Sequence, residues 1–463
     1  MSALADVSLT DAAAIGRDGG AVALLQACLE RLDAWNPKIN ATIWLDRDAA
    51  LAQAEALDRA EGPRGLLHGV PMAHKDMYYQ AGRPCTCGSA IRRDFVPEVT
   101  ATVIERLAAA GSHAFAGLNM AEFAQNPTGH NRAFGDCRNP WNTDYITGGS
   151  SSGSGAAVAV GATFASLGSD TGGSIRLPAS ACGVTGLKPT QTRVSRAGVM
   201  PLSFSADNVG PLARTARDCA LVLQVIAGRD ARDPTSSDWP VPDYLAALDG
   251  DLRGVRVGIP TGALMDGADA AVQAAVEAAC AVLAGRGAVV SRVDLPLMDA
   301  VSAYAGMVSR VEGAAIHANW MRGRALAYAP HLSARLFAGY AVPGVYYVEA
   351  LSRRGPILRR FAAEVFSKVD VLALPSIAGV LPTRAGTDVE ASVENVAAFN
   401  AVSANTRPFN YLGLPAVSAP CGFDPNGLPI GLQIVARPFA EAAVLKVADA
   451  YQADTDWHRR RPA

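Results

Sequence analysis

The sequence predicts an α/β protein built on a mostly parallel sheet. Three observations carry that expectation. Short apolar runs alternate with runs of helical period over about 65–230, and alternation returns from about 255 to the end. Half of the 463 residues are hydrophobic and only 18% are charged, enough for a large core and incompatible with global disorder. No linker-like segment separates the two alternating stretches, so one domain over 1–463 is expected.

The elements follow in order. The first 62 residues read as helices. Ala21 to Trp35 has helical apolar spacing and is expected to stop before Asn36-Pro37, and Arg47 to Ala60 is closed by Gly62-Pro63. In the core from 65 to 230, Gly69 to Ala73 and Ala114 to Leu118 read as buried strands. Thr100 to Ala110 and Thr215 to Ala227 read as helices. Glycine and serine are dense between 150 and 210, yet they run directly into Ala156-Ala157-Val158-Ala159-Val160, so a packed loop-helix junction is expected rather than a linker. Residues 230–250 read as a surface connection. A strand follows at Val255 to Ile259, then a helix from Ala268 to Gly285 and a helical insertion at about 298–367. The part from 369 to 463 alternates again, with strands at Val369 to Leu374, Leu414 to Cys421 and Pro429 to Val435, and a helix at Ala440 to Tyr451.

Composition excludes several function classes. Net charge is −2, so no sequence-wide field favours nucleic acid. The eight cysteines are scattered, with Cys85-Thr86-Cys87 the one close pair, which reads as reduced thiols and a cytoplasmic protein. No CxxC or histidine-rich cluster suggests a metal, and no cofactor is expected. Met1 to Asp6 has no basic, then apolar, leader pattern. Ala156 to Leu167 is too short to span a bilayer. Of 41 basic residues, five are lysines: Lys38, Lys75, Lys188, Lys368 and Lys446.

Candidate chemistry begins with a repeat. Thr147-Gly148-Gly149-Ser150 recurs as Thr171-Gly172-Gly173-Ser174, with the serines 24 positions apart. Paired glycines bring backbone N–H groups close to a ligand, and such a run can stabilise an oxyanion. Other readings compete. A phosphate loop lacks its Gly-Lys-Ser/Thr ending here. Gly149-Ser150-Ser151-Ser152-Gly153 satisfies the nucleophile-elbow pattern with Ser151 central, but a polar turn precedes it where a strand is required. Two tight structural turns would explain each glycine pair alone.

Lys75 shifts the weighing. It ends the apolar run Gly69-Val70-Pro71-Met72-Ala73-His74-Lys75-Asp76. Asp76 is its obvious salt-bridge partner, yet neighbours on a strand point to opposite faces. A lysine buried in a dry site loses its proton readily, and reaching neutrality near pH 7 takes about 3 pKa units. A neutral lysine can serve as general base for a serine, which arginine cannot do. His74 reads as packing. Cys85 and Cys87 read as a pocket wall.

Together these residues resemble the amidase signature family. The resemblance rests on Gly-Val-Pro-x-x-x-Lys-Asp at 69–76, Gly-Gly-Ser-Ser-Ser-Gly-Ser at 148–154, and Gly-Ser-Asp-Thr-Gly-Gly-Ser-Ile-Arg-x-Pro-Ala at 168–179. It continues through Cys182 to Thr190, Gly413 to Ala416 and Gly427 to Gln433. The resemblance implies a single α/β/α domain around a mixed twisted sheet. It also implies a serine amidohydrolase with Lys75 as base, Ser150 as a bridging serine on a cis peptide, and Ser174 as nucleophile. Backbone N–H groups of Thr171, Gly172, Gly173 and Ser174 would form the oxyanion hole. Ser151 would support the lysine, and Asp170 and Arg176 would hold the nucleophile loop. Gly148, Gly149, Tyr78 and Arg354 are candidate substrate contacts.

The implied partner is a small-molecule amide, with no nucleic acid or membrane, and a homodimer is left open. The alternative is the glutamine-hydrolysing component of a tRNA-dependent amidotransferase. Arg354 falls about where that component carries an arginine for the glutamine carboxylate. Two departures count against it. Ser403 to Asn410 lacks the aspartate that binds the glutamine amino group there, and Gln125 to Asn131 differs from the usual run.

Overall fold

The computed structural model describes residues 3–463; Met1 and Ser2, which open the stretch expected to carry no leader, lie outside it. Eleven strands among the described residues form two sheets. The smaller contains β1 (Thr42–Leu45), β2 (Pro71–Lys75) and β3 (His113–Leu118) in the order β1-β3-β2. The larger contains β4 (Ala165–Asp170), β5 (Thr185–Lys188), β6 (Asn208–Ala213), β7 (Arg256–Pro260), β8 (Val289–Val293), β9 (Val371–Pro375), β10 (Ala416–Phe423) and β11 (Pro429–Ala436). Its order is β4-β6-β5-β10-β11-β9-β7-β8.

This sheet is mixed, not mostly parallel. Only β7 pairs in parallel fashion, with β8 and β9; the other pairings in the large sheet are antiparallel. The reason is physical. Strands β4, β5, β6, β9 and β11 are buried along their whole length. Such strands read as continuous apolar runs whatever their direction, and alternation with helices does not fix that direction. The β10–β11 pair is a hairpin, turned where Asp424 Oδ1 accepts from the N–H groups of Asn426 and Leu428 at 2.8 and 3.0 Å.

Helices cover the large sheet. Arg176–Cys182, Ala216–Ile226, Ala270–Gly285 and Glu441–Ala453 pack on it. The glycine- and serine-rich stretch is a helix, Ser152–Val160, and every residue of it is buried, so it is a core element and not a linker. The helical region expected at 298–367 holds Met298–Ile316, Ala318–Arg324, Pro330–Tyr340 and Gly344–Glu364.

Several elements differ from the sequence expectation, among them strands β4, β5, β6 and β8, which the apolar runs do not single out. The helix from Ala21 runs to Ile39, with Pro37 inside its last turn. It stops where Asn40 adopts a left-handed conformation (φ 50°) and the Asn36 side chain accepts from the N–H groups of Ala41 and Thr42. Strand β1 is absent from the sequence expectation. It is four residues long and only partly buried, so it carries little periodic signal.

Candidate active site

The site is assembled from three places in the chain. Lys75 closes β2, which lies beside β3 in the small sheet. Ser150 precedes the buried helix Ser152–Val160. Ser174 lies between β4 and the helix Arg176–Cys182. Lys75 Nζ donates to Ser150 Oγ at 2.7 Å and to Ser169 Oγ at 2.8 Å. The Gly149–Ser150 peptide bond is cis.

Lys75 is 1% exposed and has no salt-bridge partner among the described residues. Burial lowers its pKa from 10.5 to about 7, against smaller opposing pulls from Asp170 and Asp207. Asp76 does point away: it accepts from Trp44 Nε1 at 3.0 Å and from the Thr86 N–H at 2.9 Å. Burial lifts the Asp76 carboxyl to about 6 despite those hydrogen bonds. His74 is packing. Its Nδ1 accepts from the Leu167 N–H at 3.1 Å, and burial lowers its pKa to about 3.

The loop carrying Ser174 is pinned by a buried ion pair. Asp170 Oδ1 accepts from the Gly173 N–H at 2.8 Å, and both of its oxygens take Arg176 at 2.9–3.0 Å. Burial alone would raise Asp170, but the Arg176 guanidinium outweighs it and holds the carboxyl at about 2. The remaining Arg176 donors reach Thr406 O, Gln433 Oε1 and Asn410 Oδ1 at 3.0, 2.6 and 2.6 Å. Gln433, the last residue of the 427–433 motif, and Asn410 thus complete a network around the loop that carries Ser174. Glycine alone suits the place of Gly173. Its φ is 131°, and a Cβ there would lie 2.2 Å from Thr406 Oγ1.

Several expected roles need correction. The Gly173 N–H is committed to Asp170, so it is not available to an oxyanion. The N–H groups of Thr171, Gly172 and Ser174 have no acceptor among the described residues. Ser151 does not touch Lys75; its hydroxyl meets the Ser169 backbone at 3.4 Å, and Ser169 is the residue on the lysine. Gly148 and Gly149 are not among the residues that line the cavity at Ser174. Gly148 abuts the Leu177 backbone, and the Gly149 N–H donates to Pro127 O. Tyr78 is buried, with its hydroxyl donating to Gly168 O at 2.6 Å. Arg354 is also absent from that cavity: it donates to Ser205 O at 2.6 Å, to Gln191 Oε1 and to Asn410 O at 3.3 Å. Each is held by its own neighbours, which the sequence does not display.

Ser174 opens on a small cavity of about 60 Å³. Thr171, Gly172, Gln125, Arg335 and Arg407 share its lining. A larger cavity of about 1090 Å³ adjoins it through Asn400 and Arg407. Sequence reasoning missed Ser169, Arg335 and Arg407. Ser169 sits next to Asp170 within the 168–179 motif, so its segment stands out in the chain. Nothing distinguishes Arg335 or Arg407 among 36 arginines.

The Ser151 N–H donates to Ser174 O at 3.3 Å, which brings the Ser174 loop to the Lys75–Ser150 pair. A buried lysine on a serine hydroxyl, near a second serine facing a cavity, is an arrangement suited to activating a hydroxyl nucleophile. Comparison with known proteins agrees with amide chemistry. Residues 23–445 match the family described as Amidase. The A subunit of glutamyl-tRNA(Gln) amidotransferase from Roseiflexus castenholzii is 42% identical, over 95% of this chain and 93% of its own length. A solved structure described as a vestigial complex revealing the origins of an s-triazine catabolic enzyme is 33% identical, with a TM-score of 0.89, covering 96% of this chain and 98% of that one. A 6-aminohexanoate cyclic dimer hydrolase is 28% identical, also with a TM-score of 0.89, covering 100% and 99%. The chain belongs to the amidase signature family, and it is an amide-cleaving hydrolase.

Proposed function

We propose that this protein hydrolyses the C–N bond of a small carboxamide to a carboxylate and ammonia or an amine, through an acyl-enzyme on Ser174. The observation that carries the proposal is Lys75 Nζ, buried and poised near neutrality, 2.7 Å from Ser150 Oγ. In this reading Lys75 accepts a proton from Ser150 as Ser150 accepts one from Ser174. The freed Ser174 Oγ attacks the amide carbon. The oxyanion is met by the unpaired N–H groups of Thr171, Gly172 and Ser174, each worth about 3–4 kcal/mol in comparable sites. The proton returns through Ser150 to the leaving nitrogen, the C–N bond breaks, and water then releases the acyl group. Asp170 and Arg176 keep the loop in place.

The whole chain is read as one domain acting on a small molecule in the cytoplasm, without nucleic acid or membrane. No helix among the described residues is long and apolar enough to cross a membrane.

The second reading is the glutaminase component of a tRNA-linked amidotransferase. The 42% identity to a protein of that name favours it. Arg354 argues against it, because it is not among the residues lining the Ser174 cavity and three of its five N–H donors are taken by Ser205, Gln191 and Asn410. Ammonia release from a panel of aliphatic, aromatic, urea-like and amino-acid amides tests both readings. Ser174→Ala is expected to lower turnover by about 10⁴-fold or more with folding intact. Wild-type turnover in that variant would end the main reading. Glutamine hydrolysis that requires an added partner protein would favour the second.

A further inference from the structure

The Ser174 cavity has an unusual charge balance. Arg335, from the helix Pro330–Tyr340, and Arg407, from Arg407–Tyr411, both line it. No aspartate or glutamate is among its lining residues. Neither arginine has a carboxylate within ion-pairing distance among the described residues. Arg335 Nε donates to Gln125 Oε1 at 3.0 Å, and an Nη reaches Ser309 Oγ at 3.3 Å. Arg407 donates to Ser403 Oγ. A guanidinium has five donors, so each arginine keeps some uncommitted. Nearby acids are occupied elsewhere: Glu312 by Ser203, Ser205 and Tyr347, and Asp207 by Thr171, Leu202 and Ser203.

The electrostatics agree. Burial, then repulsion from Arg407 and Arg310, lowers Arg335 to about 10. Arg407 is lowered too, by burial and by Arg310. Both arginines are half-buried. Like charges gathered there without a counter-ion are costly, and an arriving anion lowers that cost. A carboxylate matches two guanidinium edges better than a spherical ion does. The cavity offers an ammonium no carboxylate: apart from the two arginines, its polar side chains, such as Gln125, Asn400 and Ser403, are uncharged.

We propose that the substrate is an amide carrying a carboxylate and no ammonium group, with the carboxylate bound by Arg335 and Arg407 while the amide lies at Ser174. This rests on the reading of Ser174 as the reacting residue. It goes further by naming the substrate's charge, and it separates an acid amide from glutamine, which is a zwitterion.

The test uses three amides of nearly one shape: glutaramate, its neutral analogue valeramide, and glutamine, which is glutaramate with an added ammonium. Malonamate and succinamate extend the acid series to shorter chains. Binding to Ser174→Ala is measured by calorimetry, and ammonia release is measured on the wild type. The best acid amide is expected to bind at least 30-fold tighter than its neutral analogue, and glutaramate at least 10-fold tighter than glutamine. Arg335→Gln and Arg407→Gln, each placed in the Ser174→Ala chain and checked by melting temperature, are expected to reduce the acid-to-neutral ratio to within threefold of one. Should one of these variants not fold, the other and the ligand series decide. Equal binding of acid and neutral amides, or a preference for glutamine, would overturn the proposal. Selective acid binding without ammonia release from any amide would keep the carboxylate site at Arg335 and Arg407 and defeat the proposed function, and with it the claim that the bound acid is a substrate.

Discussion

A protonated Lys75 and an arginine carry the same charge and differ in whether they can lose it near neutral pH. Because burial places the Lys75 pKa at about 7, the fraction able to accept a proton grows as pH rises through that value. kcat/KM is therefore expected to climb about tenfold per pH unit below 7 and to level above it. Lys75→Arg keeps the charge and removes the base, so a loss of about 10²–10⁴-fold is expected, measured as ammonia release at pH 8. At this scale the sequence is informative where chemistry is tied to a motif. Lys75, Ser150 and Ser174 can be named from their surroundings in the chain. Arg335 and Arg407 cannot, because each is brought to the site by tertiary packing, while Ser169 lies in a visible motif that does not disclose its contact with Lys75. Arg354 misleads for the opposite reason: its position in the chain suggests a pocket, and its backbone partners hold it elsewhere.

The loop between β4 and the helix Arg176–Cys182 is the element on which the site depends. Its conformation is set by Gly173 and by the Asp170–Arg176 pair, whose side chains are fully buried. Gly173→Ala would place a methyl against Thr406 Oγ1 and force a positive φ on a residue with a side chain. The expected result is a loss of more than about 10²-fold in kcat, since small misplacements of reacting groups are expensive. Asp170→Asn leaves Arg176 buried without its charge partner, and a destabilisation of about 3–5 kcal/mol is expected in urea unfolding. The sequence shows this element well, because two glycines, an aspartate and an arginine fall within seven residues. It does not show that Thr406, Asn410 and Gln433 complete the network from more than 200 residues away.

The whole molecule shows what local patterns leave open. Alternation of strands and helices is legible, as is the helical region that supplies Ser309 and Arg335 to the cavity. Strand direction is not, because strands buried on both faces carry no directional mark in their composition. The eight cysteines are all buried and unpaired, so thiol reagents are expected to modify none in the folded protein and all eight in denaturant. Stability should also depend on pH through Lys75. The unfolded lysine, with its pKa near 10.5, holds a proton that the folded one releases near 7. The burial penalty is thus complete below about pH 7 and shrinks as pH rises, which stabilises the fold by up to about 1.4 kcal/mol per pH unit. Between pH 7 and 8.5, Lys75→Met is expected to show a shallower rise in unfolding free energy than the wild type.

The central claim is that Ser174 is the nucleophile. Treating the protein with a fluorophosphonate and locating the adduct by peptide mass spectrometry tests it most directly. A single adduct on Ser174, absent from Ser174→Ala and strongly reduced in Lys75→Arg, is the expected result. An adduct on another residue, or continued ammonia release from protein fully modified at Ser174, would contradict it.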